Sequence, residues 1–275
     1  MEYLLRRMNG KLHRLWIIIS MVAIIANPVV GSLIAILPVT EKHCQMLLRY
    51  QVFSLIDVPA SKSCMIWYVV GPISIVPPYV LCSGVSILYV IFCCCFRNLL
   101  HTHSKTGLEK EHISCKNFRN HLLTHDRAVK VLKDFQEVMS LPVFMIVVKD
   151  CAGIFFGFIA LDPFGRISNP LLFKPWIWAA VFVSLTSSIS FLSISLAAAS
   201  VGEASKNASD VQQEMMKRVH ASTLQDKVEL FVFFKTHKTA PFNLSAGGVF
   251  CFTKGLVLAA IGSLLTYSLL LLQFS

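Results

Sequence analysis

Charge is what this sequence has least of. Asp, Glu, Lys and Arg make up 15 % of its 275 residues, against about 25 % in a soluble domain, too few to coat a water-facing surface. Catalytic signatures are missing too. There is no P-loop, GxGxxG, GxSxG, HExxH or paired CxxC, and no nucleophile stands beside a partnered base. An enzyme is therefore not expected, and neither is a cofactor. Period-two alternation is absent from the apolar runs, which removes the transmembrane barrel.

What is present is apolar length. Hydrophobic residues make up 55 % of the chain, and several runs approach or exceed the roughly 20 residues that cross a ~30 Å hydrocarbon core. The sequence predicts an all-α polytopic membrane helix bundle in one membrane domain, 1–275. Five spans are expected, at about 15–37, 66–96, 141–161, 175–201 and 255–274. Arg6, Arg7, Lys11 and Arg14 before the first run resemble the start of a secretory leader. That run is longer than a leader's apolar region and no clean A-x-A site follows it, so it is read as a span.

The net charge of +10 sits between the runs rather than on one surface, so no nucleic-acid partner is expected. Alternate gaps hold 18 Lys and Arg against five. By the positive-inside rule the N-terminus is cytoplasmic and the C-terminus outside.

Two cytoplasmic gaps look helical, at about 108–140 and 210–235. The first carries the stripe Phe118, Leu122, Val129, Leu132 and Met139 and should run on into the third span. The second carries Val211, Met215, Val219, Leu224, Val228 and Phe231. Residues 240–248, APFNLSAGG, read as a short linker before the last span.

Several residues invite a chemical reading. Lys149 and Asp150 fall near the middle of the third span, where ions are costly and mark functional sites by default; mutual offset of the two charges is the plainer account. Tyr79, Trp176 and Trp178 are either interfacial anchors or part of a ligand pocket. Cys44 and Cys64 share an outer loop, where a disulfide is possible. Cys93, Cys94 and Cys95 are either lipidated at the membrane edge or buried as small apolar groups. His101, His103, His112, His121 and His125 crowd one cytoplasmic segment, but their spacing is not that of a zinc site and no metal is expected.

The last run closes with LLTYSLLLLQFS. At 100° per residue, Thr266, Tyr267, Leu270, Gln273 and Phe274 share an arc of about 120°, with Gly255, Ala259 and Gly262 on the same side. Leucines fill most of the opposite arc. A stripe of small and polar residues suits either close helix packing or a water-facing wall, and the wheel leaves both open.

Thr266-Tyr267, five residues, then Gln273-Phe274 resembles the TYxxxxxQF signature of the arthropod gustatory receptors. Upstream, VELFVFFKTHK, SAGGVF and a Thr-Lys pair before the final span are similar to that family, as is HDRAVKVLKDFQEVMSLPVF from His125. The resemblance implies a seven-span, plasma-membrane chemosensory receptor with its N-terminus inside. It implies a tetrameric ligand-gated cation channel with other receptor subunits as partners, a small-molecule tastant, permeating cations and surrounding lipids. Gln273 and Phe274 would form the gate, with Thr266, Tyr267 and Leu270 lining the pore below. Five spans rather than seven match the family's third to seventh, as in a short member or fragment. The alternatives are a non-conducting protein whose last helix only packs, and a G-protein-coupled receptor. The second is disfavoured because no DRY-like or NPxxY motif closes a span.

Overall fold

The computed structural model describes residues 60–108, 113–161, 174–220, 224–237 and 241–274, together with Val22, Ala26, Val29, Val30, Gly31, Leu33 and Cys44. The expected first span lies outside the described residues apart from the first six of those, all helical. Five helices follow. They are α1 (Ala60–Leu108), α2 (Cys115–Leu161), α3 (Lys174–Arg218), α4 (Leu224–His237) and α5 (Lys254–Phe274). Three of them contain stretches long and apolar enough to cross a membrane, Cys64–Gly107, Cys115–Phe158 and Ile177–Arg218. The molecule is an all-α polytopic membrane helix bundle.

With 49, 47 and 45 residues, these helices are each about 70 Å long, more than twice the hydrocarbon thickness. Each must therefore leave the bilayer. α1 stays helical through Pro72, Pro77 and Pro78. Intramembrane helices tolerate proline because neighbouring groups satisfy the freed carbonyls.

The described chain divides into two compact units. One comprises Leu88–Met145 and Leu192–Ile261 and the other includes Ile146–Phe191, the part of α1 up to Ile87, and α5 from Gly262. The unit boundaries fall within α1, α2, α3 and α5.

In the first unit, the stripe on α2 is buried as patterned. Phe118, Leu122, Val129 and Leu132 are all at most 2 % exposed. Phe118 and Leu122 form a core with Met215 of α3 and Leu230 and Phe234 of α4. Tyr89, Phe92 and Phe96 of α1 converge on Phe135 of α2, with ring centroids 5.4–5.6 Å apart. Segment 210–235 is not one helix. α3 ends at Arg218, and Val219–His220 pair in parallel with Ile113–Ser114. This break resets the helical phase. Leu230 and Phe234 turn inward while Val228 and Phe231, which a continuous stripe would bury, are 58 % exposed.

Segment 240–248 also differs from a plain linker. Ser245–Ala246 and Phe250–Cys251 form an antiparallel hairpin. Gly247 and Gly248 take φ of +58° and +69°, left-handed values at the centre of the turn that the Val249 N–H closes on the Ala246 carbonyl at 3.0 Å.

In the second unit, Cys44 and Cys64 are joined by a disulfide with Cα atoms 5.0 Å apart. Gly153 and Gly157 of α2 lie against Ser187 and Ser184 of α3, and a Cβ at either glycine would overlap the serine side chain. Small residues thus let these two helices approach closely.

Phe118→Ala should remove about 3–5 kcal/mol from the first unit, whereas Val228→Ala on the exposed side of α4 should stay within about 0.5 kcal/mol. Thermal unfolding of the detergent-solubilised chain checks this: the midpoint falls for the first variant and holds for the second.

Candidate functional site

α5 begins at a cap. The Thr253 Oγ1 accepts the Leu256 N–H at 3.1 Å, satisfying one of the unpaired donors of the first turn. From there the helix runs to Phe274. The Thr266 hydroxyl donates to the Gly262 carbonyl at 2.8 Å, so its polar group is satisfied within the helix. Tyr267 is 59 % exposed, and Leu270 and Gln273 are exposed as well. Phe274 is helical in backbone, and its side chain lies outside the described residues. Leu258 and Leu265 on the opposite arc are exposed too.

The two glycines of the stripe separate close packing from an open face. A Cβ on Gly262 would meet nothing within 4 Å, and one on Gly255 would meet only the Thr253 hydroxyl at 3.9 Å. Among the described residues, no other helix of the chain uses this small-residue face. Gly153 and Gly157 show what such use looks like.

Lys149 and Asp150 pair directly. The Lys149 Nζ lies 2.9 Å from Asp150 Oδ1 and 5.3 Å from the Tyr79 ring centroid. Asp150 is fully buried. Three of the five residues considered for a ligand pocket therefore meet. Trp178 does not join them. It is 70 % exposed, as a membrane-interface anchor would be. The Trp176 side chain lies outside the described residues. Nearby on the same unit, the Ser190 hydroxyl reaches the Ser86 hydroxyl at 3.5 Å.

Three of the histidines, His103, His121 and His125, form a stack. The His103 and His121 rings lie parallel at 3.7 Å, and His125 is 6.1 Å from His103. One ion cannot lie in the planes of two face-to-face rings, and no metal-binding group of three occurs among the described residues. Burial pushes the His103 imidazole below its ordinary value. Burial first, then the neighbouring His103, push His125 down to about 4, with Asp126 opposing. Only the topology brings residues 103 and 125 together, from different helices.

The described helices give the molecule the build of a multi-pass membrane protein with a capped terminal helix. The family model described as 7tm chemosensory receptor matches residues 78–275, and the chain belongs to that family. This agrees with the likeness to insect-type gustatory receptors. No individual curated protein matches the chain.

Two measurements follow. Asp150→Asn strands the Lys149 ammonium and Lys149→Met strands the carboxylate. Lys149→Met, which leaves the fully buried carboxylate alone, should cost about 3 kcal/mol; Asp150→Asn, which leaves the part-exposed ammonium, should cost less, and the double variant much less than the sum, as read by thermal stability in micelles. The second concerns pH. A base whose folded pKa lies below its unfolded value destabilises the fold as pH drops through the unfolded value and on towards the folded one. From pH 7.5 to pH 5 the histidine stack should cost about 2 kcal/mol, and His125→Gln should flatten that slope in a melting series.

Proposed function

We propose that the chain is a chemosensory receptor subunit of a ligand-gated cation channel at the plasma membrane. It assembles with further subunits, as a tetramer, around a pore lined by α5, and a small-molecule tastant opens it. The observation that supports this most is the open face of Gly262. A packing seam would place another helix there. A wall around water would leave it empty within one subunit and opposed to the same face of its neighbours.

The chemistry of the stripe suits conduction. Thr266, Tyr267 and Gln273 offer hydroxyl and amide dipoles to a dehydrating cation without a fixed charge to trap it, and Leu270 supplies an apolar constriction that closes by dewetting. With the C-terminus outside, Gln273 and Phe274 stand at the outer mouth. The exposed Val228, Phe231 and Val232 of α4 give neighbouring subunits an apolar surface to cover.

Charge at position 273 tests this with opposite signs. In whole-cell recordings, Gln273→Glu should raise inward cation current severalfold and Gln273→Lys should lower it, since a mouth charge changes the local cation concentration. Cysteines placed along 262–274 should react with water-borne thiol reagents at Thr266, Leu270 and Gln273 and be protected at Leu265 and Leu272. Uniform protection, with both charge variants carrying wild-type current, would leave α5 as a packing helix in a non-conducting receptor.

A further inference from the structure

The segment that leads into α5 is gripped from outside its own hairpin. Ser245 is paired with Cys251 across the turn. On its other side stands the Gln136 side chain of α2. The Gln136 Nε2 donates to the Ser245 carbonyl at 2.8 Å, and the Ser245 N–H donates to Gln136 Oε1 at 3.1 Å. The same Nε2 reaches the Ser245 hydroxyl. This paired donor and acceptor is what a third strand would present. Glu could accept but not donate when ionised, and an aliphatic side chain could do neither.

The grip extends along α2. One turn on, the Gly247 N–H donates to the Ser140 carbonyl at 3.0 Å. A further turn on, Phe144 packs so closely that a Cβ on Gly247 would lie 3.0 Å from its ring. From α3, the Ser205 hydroxyl accepts the Phe242 N–H at 2.9 Å, and Glu203 pairs with Lys254 in the first turn of α5 at 2.6 Å. The Phe252 N–H donates to the Leu244 carbonyl at 2.9 Å, and Phe252 is 1 % exposed. Thr253, the cap of α5, follows directly.

We propose that Gln136 is a positioning residue that sets where α5 begins. Its amide acts as a surrogate strand on the hairpin, so that a displacement of α2 is passed through Ser245 and Cys251 to the Thr253 cap. The positioning stands on the geometry alone, while its consequence for a current rests on the pore reading above. Neither the apolar stripe nor the terminal motif contains this residue.

Hydrogen–deuterium exchange of the full chain in micelles tests the positioning without requiring a current. Gln136→Leu removes all three contacts to Ser245 at similar volume. It should speed exchange about tenfold at Ser245 and Gly247 and also in residues 254–258 of α5, with the Phe118 region unchanged. Gln136→Glu, which keeps the acceptor, should restore part of the protection. Faster exchange that stops at residue 248, or none at all, would overturn the proposal. If Gln136→Leu loosens the whole first unit, Ser245→Pro, which removes the N–H received by Oε1 and the hydroxyl reached by Nε2, provides the second measurement and should expose 254–258 in the same way. Protection at 254–258 in both variants overturns the proposal as well. Recordings then separate the two readings. Where the wild-type chain carries current, Gln136→Leu should change its resting level at equal surface abundance. A wild-type chain that passes none defeats the pore reading, and the exchange data still decide the positioning.

Discussion

A helix of about 70 Å cannot be held inside a hydrocarbon layer of ~30 Å, and most of this molecule follows from that mismatch. The bilayer accepts α1, α2 and α3 because a helix satisfies its own backbone. Beyond the bilayer the same helices meet water, where apolar side chains drive association that lipid does not. The sequence changes character accordingly. Within the spans, contact rests on small residues, as at Gly153 and Gly157 against Ser187 and Ser184. In the Leu88–Met145 and Leu192–Ile261 unit it rests on large ones, with Phe118, Leu122, Met215, Leu230 and Phe234 in one core.

Some polar exceptions in both units are matched to a partner. His103 and His121 stack face to face at 3.7 Å, a contact open to neutral imidazoles and penalised for two cations. Asp150, fully buried, is tolerated beside Lys149. The hairpin before α5 exposes strand edges that water could satisfy, yet it takes partners from Gln136, Ser140 and Ser205 instead. A linker would have isolated α5 from the other helices. A hairpin gripped from α2 and α3 does the reverse, which is the arrangement a receptor needs if its last helix is to respond to the rest of the chain.

Legibility varied with the range of the interaction that decides each feature. The α2 stripe could be read because Phe118, Leu122, Val129 and Leu132 recur at helical spacing on one uninterrupted helix. The α3–α4 stripe could not. Its phase depends on the break at Val219–His220, which pairs with Ile113–Ser114 more than 100 residues away. The hairpin carried a local signal in Gly247-Gly248 between apolar residues, a recognised turn pair, although the segment as a whole looked like a breaker. Gln136 falls within the family-like stretch HDRAVKVLKDFQEVMSLPVF, but nothing local sets it apart from the other polar residues of that charged helix until the hairpin lies beside it.

The sequence by itself determined that this is a helical membrane protein, and the terminal TYSLLLLQF pattern pointed to the family that the match over 78–275 shows. Hydropathy and short motifs act through local chemistry, which is written directly in residue order. Only the tertiary structure decided which small-residue faces are occupied. Gly153 and Gly157 meet serines of α3, while Gly262 meets open space. Identical glycines on apolar helices differ only in what the fold brings opposite them, and that depends on contacts between residues far apart in the chain.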